Sequence, residues 1–107
     1  MNISFYDSAE EMLDDLRQAM QAADEKVKPW QTQIKKGDCF WHDTEYGFKI
    51  YGKVLKNAYC ESHLRNYRFC RCYSEACPEG ELGDIHVCTI GGLMTKEEFE
   101  EKIKALQ

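Results

Sequence analysis

The sequence has no run of apolar residues approaching the roughly 18 that a membrane-crossing helix needs, so no transmembrane element is expected. Met1 to Phe5 lacks the basic segment and following apolar segment of a secretion signal, which points to a cytoplasmic protein. Phosphate-cradling motifs are missing as well. Gly91-Gly92 stands alone before a helical stretch, with neither G-x-G-x-x-G nor a P-loop around it, and reads as a turn. Its backbone N–H groups at a helix start leave an anion contact as the lesser alternative. The paired C-x₂-C spacing that marks zinc sites is absent. So are internal repeats and low-complexity tracts. An excess of positive charge is lacking too: the net charge is −5, which argues against indiscriminate nucleic-acid binding yet is too mild for a mimic of DNA.

What is present is ordinary globular composition, with 43% apolar and 31% charged residues in 107. That length suits one hydrophobic core, and the expectation is a single α+β domain over residues 1–107. A first helix is predicted over 7–28, capped by Asp7 or Ser8, with Ser8 and Glu11 at capping-box spacing. Ala9, Met12, Leu13, Leu16, Ala19, Met20, Ala23 and Val27 form its apolar stripe. Glu10, Glu11, Asp14 and Asp15 crowd its start and, with Asp24 and Glu25, make a solvated outer side, while Lys26 and Lys28 sit at its end before Pro29. The stripe is expected to pack across one face of a sheet.

That sheet is predicted over 37–90 as a small antiparallel meander of three to five strands, with an SH3-like barrel as one way of curling it. Cys39 to His42, Phe48 to Leu55, Tyr67 to Tyr73 and Ile85 to Ile90 are the strand candidates. Pro78 to Asp84 reads as a loop, and Lys56 to Asn66 as a loop or one turn of helix. A second helix is predicted over 95–106, from the capping-box pair Thr95 and Glu98 and the stripe Phe99, Ile103 and Leu106.

Several constellations carry candidate chemistry. Cys70, Cys72, His86 and Cys88 lie two apart on two candidate strands and would make a closed Cys₃His zinc site if those strands were neighbours in register. The competing reading is core thiols, since free cysteine packs as a small hydrophobe. Cys39 with His42, and Cys60 with His63, are looser pairs. Cys77 before Pro78, with Asp84 and His86 downstream, gives a cysteine-dependent enzyme as a further alternative. Glu79 and Glu81 read as solvated loop charges.

The most informative feature is a face. In the second strand Phe48, Ile50, Gly52 and Val54 alternate with Lys49, Tyr51 and Lys53. In the third, Cys70 and Cys72 alternate with Tyr67, Phe69, Arg71 and Tyr73, while Arg68 falls on the cysteine side. If the apolar sets turn inward, Lys49, Tyr51, Lys53, Tyr67, Phe69, Arg71 and Tyr73 form one aromatic and basic surface. Such a surface suits a nucleotide-like ligand or a protein partner, unless a helix or a second copy covers it.

Three stretches, Ser4 to Ser8, Tyr46 to Gly52 and Ala76 to Val87, resemble a group of short uncharacterised proteins encoded by tailed bacteriophages and found in viral metagenomes. The resemblance implies a phage accessory product acting in a bacterial host cytoplasm. By analogy it suggests an inhibitor of host antiviral defence that binds a host protein or sequesters a nucleotide-like ligand. The expectation from sequence is therefore a non-catalytic binding protein, without cofactor unless zinc is held, and with homo-oligomers allowed. A zinc-stabilised interaction module and a small cysteine-dependent enzyme are the alternatives.

Overall fold

A computed structural model describes residues 9–56 and 65–107, with side chains of the first helix from Asp14 onward. The alternating sequence builds strands β1 (Cys39–Asp43), β2 (Lys49–Lys56), β3 (Tyr67–Tyr73) and β4 (Glu81–His86), and a short β5 (Gly92–Met94) follows. All pairs are antiparallel, in the order β4-β3-β2-β1-β5. The first four strands form the expected meander. β5 then crosses back to the far edge, where Phe40 faces Leu93 and Trp41 faces Gly92. The sheet is open, with β4 and β5 as its edges among the described strands, rather than a closed SH3-like barrel.

Strand parity follows the sequence. Phe40, Val54 and Cys70 lie on the core face and are fully buried, together with Ile34, Val87 and Ile90. Gly52 is buried directly beneath the Phe40 ring, where a Cβ would come within 2.3 Å of the ring carbon Cζ. The residue beneath Phe40 must therefore be glycine, although glycine is otherwise a poor strand former.

The roof of this core is a 3₁₀ turn, Pro29–Gln33, which sits where the sequence suggested only a connector. Two buried polar side chains fasten it. Gln31 donates to the carbonyls of Cys88 (3.4 Å) and Ile90 (3.0 Å), and its own carbonyl accepts the Lys28 N–H. Arg68 projects from β3 on the core side and is 5% exposed. Its guanidinium donates to the carbonyls of Ile34 (2.7 Å), Arg65 (2.8 Å), Tyr67 (2.9 Å) and Thr32 (3.4 Å). Among the described residues these partners are all main-chain oxygens. Burial lowers the Arg68 pKa from its ordinary value, but a guanidinium stays charged in a protein.

The last predicted strand is only partly a strand. Glu81 to Asp84, read from sequence as loop, belongs to β4, whereas Val87–Thr89 is a 3₁₀ turn. The cause is the tightness of the β3–β4 connection. Ser74 and Cys77 exchange backbone bonds, Gly80 takes φ +86° against the Tyr73 ring, and Glu81 is thereby opposite Cys72.

Helix α1 (Ala9–Glu25) ends before Lys26, sooner than the predicted 28. The expected caps Asp7 and Ser8 lie outside the described residues, as do Cys60 and His63. α1 does not lie across the sheet as expected. Leu16 is 53% exposed, and among the described side chains of the helix Asp24, near its C-terminal end, bonds to Asn66 and His86. Helix α2 (Lys96–Leu106) begins with the predicted capping box: Thr95 Oγ1 accepts the Glu98 N–H at 3.1 Å, and Glu98 Oε1 accepts the Thr95 N–H at 3.0 Å. It packs on the outer face of β1 and β2 and buries Phe99 there.

Replacing Arg68 by Lys keeps the charge but loses the planar fork that serves four carbonyls. The expected loss is about 3 kcal/mol, since hydrogen bonds to charged groups contribute roughly 1.5–3 kcal/mol each. Thermal denaturation followed by circular dichroism should show a fall in Tm of more than about 10 °C. An unchanged Tm would mean that the roof is held by packing alone.

Candidate functional site

The outer face of the sheet gathers the aromatic and basic residues. Directly paired residues share a face, so Trp41, Tyr51 and Tyr73 form one transverse row, and Cys39, Lys53 and Arg71 the next. Lys49 enters from the end of β2 opposite Asp43, to which it is ion-paired. At the other end a bulge between Val54 and Lys56 resets the register, so that Lys56 pairs with Phe69 and its ammonium lies 5.8 Å from the Phe69 ring centroid.

Helix α2 covers part of this face. Tyr73 meets Phe99 edge to face at 5.9 Å, which makes it a packing residue. Tyr67 is likewise engaged, edge-on to His86 at 4.9 Å, and burial raises its hydroxyl pKa. Between α2 and the sheet an open cleft of about 240 Å³ remains, lined by Trp41, Lys49, Tyr51, Met94, Glu98 and Lys102. Its aromatic floor carries two cations: the Lys49 ammonium is 4.2 Å from the Trp41 ring centroid, and that of Lys102 is 6.0 Å from the Tyr51 ring centroid.

Trp41 is held from below by backbone. A Cβ on Gly91 would come within 2.4 Å of the indole, and one on Gly92 within 2.7 Å. The Gly91 N–H donates to the Trp41 carbonyl at 2.9 Å. Gly91-Gly92 is thus a seat for the tryptophan, and Gly92 opens β5 rather than a helix. This replaces the sequence reading of these glycines as a bare turn, and it engages one of the N–H groups that an anion would need.

Of the seven residues expected on the face, Lys49 and Tyr51 line the cleft, Lys53 and Arg71 form the adjoining row, and Phe69, Tyr67 and Tyr73 pack within the fold. Sequence reasoning did not place Trp41, Lys56, Met94 or Lys102 at this face, and read Glu98 only as a helix cap. Trp41 would have followed from its two-residue spacing to Cys39 and Asp43 only if the β1–β2 register were known.

The cysteine and histidine candidates are not brought together. Cys70 and Cys72 lie on the core face opposite Gly83 and Glu81, whereas His86 pairs with Tyr67 on the outer face and Cys88 lies in the following 3₁₀ turn. The slip has a simple origin: β3 and β4 are neighbours, but their register places the histidine on the other side of the sheet. Among the described residues no cluster of three or more His, Cys, Asp or Glu side chains is placed to hold a metal ion. Burial pushes the Cys70 thiol up to about 12 and the Cys72 thiol up to about 11, the behaviour of core thiols.

Cys77 lies in the turn before β4 and His86 at the far end of that strand, whose six residues span roughly 17 Å at about 3.4 Å per residue. Burial, with the charges of Glu79 and Glu81, also raises the Cys77 pKa, the opposite of an activated nucleophile. Both His86 ring nitrogens are engaged. Nδ1 accepts the Cys88 N–H at 3.1 Å, so the proton resides on Nε2, which donates to Asp24 at 2.8 Å. Asn66 donates to the same Asp24 oxygen at 2.9 Å. The triangle of Asp24, His86 and Asn66 is a latch that ties the end of α1 to the sheet. Comparison with family models, curated proteins and solved structures gave no match for the chain.

Burial alone would raise the Asp24 pKa, but the hydrogen bonds from Asn66 and His86, with the charge of Arg65, outweigh it and hold the carboxyl below 3.8. A depressed folded-state pKa contributes stability above 3.8 that disappears as pH falls through the lowered value. Asp24→Asn should therefore melt below wild type near neutral pH, and the gap should narrow in melts taken below 3.8. A gap independent of pH would assign the effect to shape rather than charge.

Proposed function

We propose that this protein is a non-catalytic binding domain whose outer sheet face holds an anionic, ring-bearing ligand of the nucleotide class. The observation that carries this reading is the cleft between α2 and the sheet, where an aromatic floor of Trp41 and Tyr51 lies beneath the cations Lys49 and Lys102. Lys53 and Arg71 extend the positive charge in the adjoining row. On a chain of net charge −5 this face carries Lys49, Lys53, Arg71 and Lys102 beside the carboxylates Asp43 and Glu98, a local excess of cations that favours a negatively charged partner there.

The physical steps are modest. The Lys49–Asp43 ion pair is exposed, and such pairs contribute about 0–1 kcal/mol, so a phosphate can replace Asp43 at small cost. The indole has one side against the Gly91-Gly92 backbone, which leaves the Lys49 side for a stacking ring. Lys49 swings away on its flexible stem and then meets the phosphate. Base–aromatic stacking contributes roughly 1–3 kcal/mol, enough with two or three charge contacts for binding in the micromolar range.

A second reading has its own support. Trp, Tyr and Arg are the residues that dominate protein-interface energetics, so the same face suits a protein partner. In a phage accessory protein of the kind the sequence resembles, either ligand fits an inhibitor of host defence in the bacterial cytoplasm.

The test is titration calorimetry with the common ribonucleoside 5′-mono-, di- and triphosphates, against wild type and the Tyr51→Ala/Arg71→Ala variant. The expected result is micromolar binding of at least one nucleotide, weakened at least 10-fold in a variant with an unchanged circular dichroism spectrum. Equal affinity in a folded variant would remove the face from consideration. Absence of heat with every nucleotide would favour the protein-partner reading.

A further inference from the structure

The aromatic floor and the cations of the α2 cleft suit any nucleotide, but the cleft wall adds a group of opposite sign. Helix α2 passes between two transverse rows of the outer face. Glu98 and Lys102 line the cleft with Trp41 and Tyr51, whereas the charges of Lys96 and Glu100 act on Cys39 in the next row. Glu98 is the one carboxylate among the lining residues. Its position is set by the capping box, in which Oε1 accepts the Thr95 N–H at 3.0 Å and Thr95 Oγ1 accepts the Glu98 N–H at 3.1 Å. The bonds with Thr95 hold the Glu98 carboxyl below its ordinary pKa, so it is ionised at neutral pH. Oε2 accepts no hydrogen bond among the described residues, and the Lys102 ammonium stands over the Tyr51 ring instead, 6.0 Å from its centroid.

We propose that Glu98 reads the base of the ligand and makes the cleft selective for guanine nucleotides. This rests on the reading of the cleft as a nucleotide site. Donor–acceptor complementarity makes the choice. An ionised carboxylate only accepts, and each of its oxygens has more than one lone pair, so Oε1 can serve Thr95 and a ligand together. Guanine carries two neighbouring donors on one edge, N1–H and the 2-amino group, which match the two oxygens of a carboxylate. Adenine and cytosine offer an amino group beside a ring nitrogen that accepts. Uracil offers one N–H between two carbonyls. Each of these three would turn an acceptor toward the negative charge. A ring stacked on Trp41 brings an edge to the wall of the cleft and leaves its phosphate to Lys49.

Titration calorimetry on the full chain with guanosine, inosine, adenosine, cytidine and uridine 5′-monophosphates is the test. The guanosine nucleotide should bind roughly 10-fold tighter or more than the adenosine, cytidine and uridine ones. The inosine nucleotide, which lacks the 2-amino group, should fall between. Glu98→Gln keeps the capping box, in which glutamine also serves, so the variant should fold. In it the guanosine nucleotide should drop to the level of the adenosine one, because the glutamine amide sets a donor against guanine and suits adenine. Equal affinity for all bases in wild type would overturn the proposal and leave the cleft as a nucleotide site. So would a guanosine preference that persists in folded Glu98→Gln. A variant weakened alike for every base would overturn it by assigning Glu98 to the sugar. Binding of no nucleotide by wild type would remove both the proposal and the reading on which it rests.

Discussion

One buried guanidinium orders this molecule. Arg68 rises from β3 into the core side of the sheet and gives its N–H groups to carbonyls of the 3₁₀ turn Pro29–Gln33 and its following residue, and to carbonyls at the start of its own strand. A buried charge is tolerable only when its donors are satisfied, and here backbone dipoles do that work. The consequence is geometric. The turn is pinned above the sheet, Ile34 is delivered into the core beside Phe40 and Val54, and Gln31 reaches across to the carbonyls of Cys88 and Ile90. The roof fixes where α1 ends, and the Asp24–His86 latch follows from that position.

With one face closed by this roof, the other is left to α2 and to the aromatic and basic residues. The two sides differ in chemistry. The roofed side holds aliphatic residues and thiols with raised pKa values, and the outer side holds tyrosine, tryptophan and cations. Helix α2 settles on the outer side through Phe99, which meets Tyr73, and a cleft remains between its Glu98 and Lys102 and the sheet residues Trp41, Lys49 and Tyr51.

Much of this was legible in the sequence, and the reasons are specific. The alternation of Lys49 to Lys53 and of Tyr67 to Tyr73 correctly divided core from outer face, because a period of two survives any choice of register. The Thr95–Glu98 box marked α2 to within a residue, since capping chemistry is local. What depended on register did not survive. His86 falls on the far side from Cys70 and Cys72, and Lys56 joins the outer face through a bulge that no residue pattern announces. Glu81 to Asp84 was taken for loop because Gly80, Gly83 and Pro78 punctuate it, yet pairing with β3 overrides that local preference. The amphipathic pattern of α1 announced a helix with something to bury but not what covers it, and Arg68, an arginine on the apolar side of a strand, was noted without its role.

We propose the outer face, and not the roofed one, as the place where this protein meets its ligand. Amide and indole chemical shifts recorded during titration with the same ribonucleoside phosphates test it most directly. Shifts are expected to centre on the Trp41 indole, Lys49, Tyr51, Lys53 and Arg71, with the amides of Val54, Cys70 and Ile90 unmoved. Shifts centred instead on the hairpin tip around Tyr46 or on the roof around Gln31 and Arg68 would contradict it.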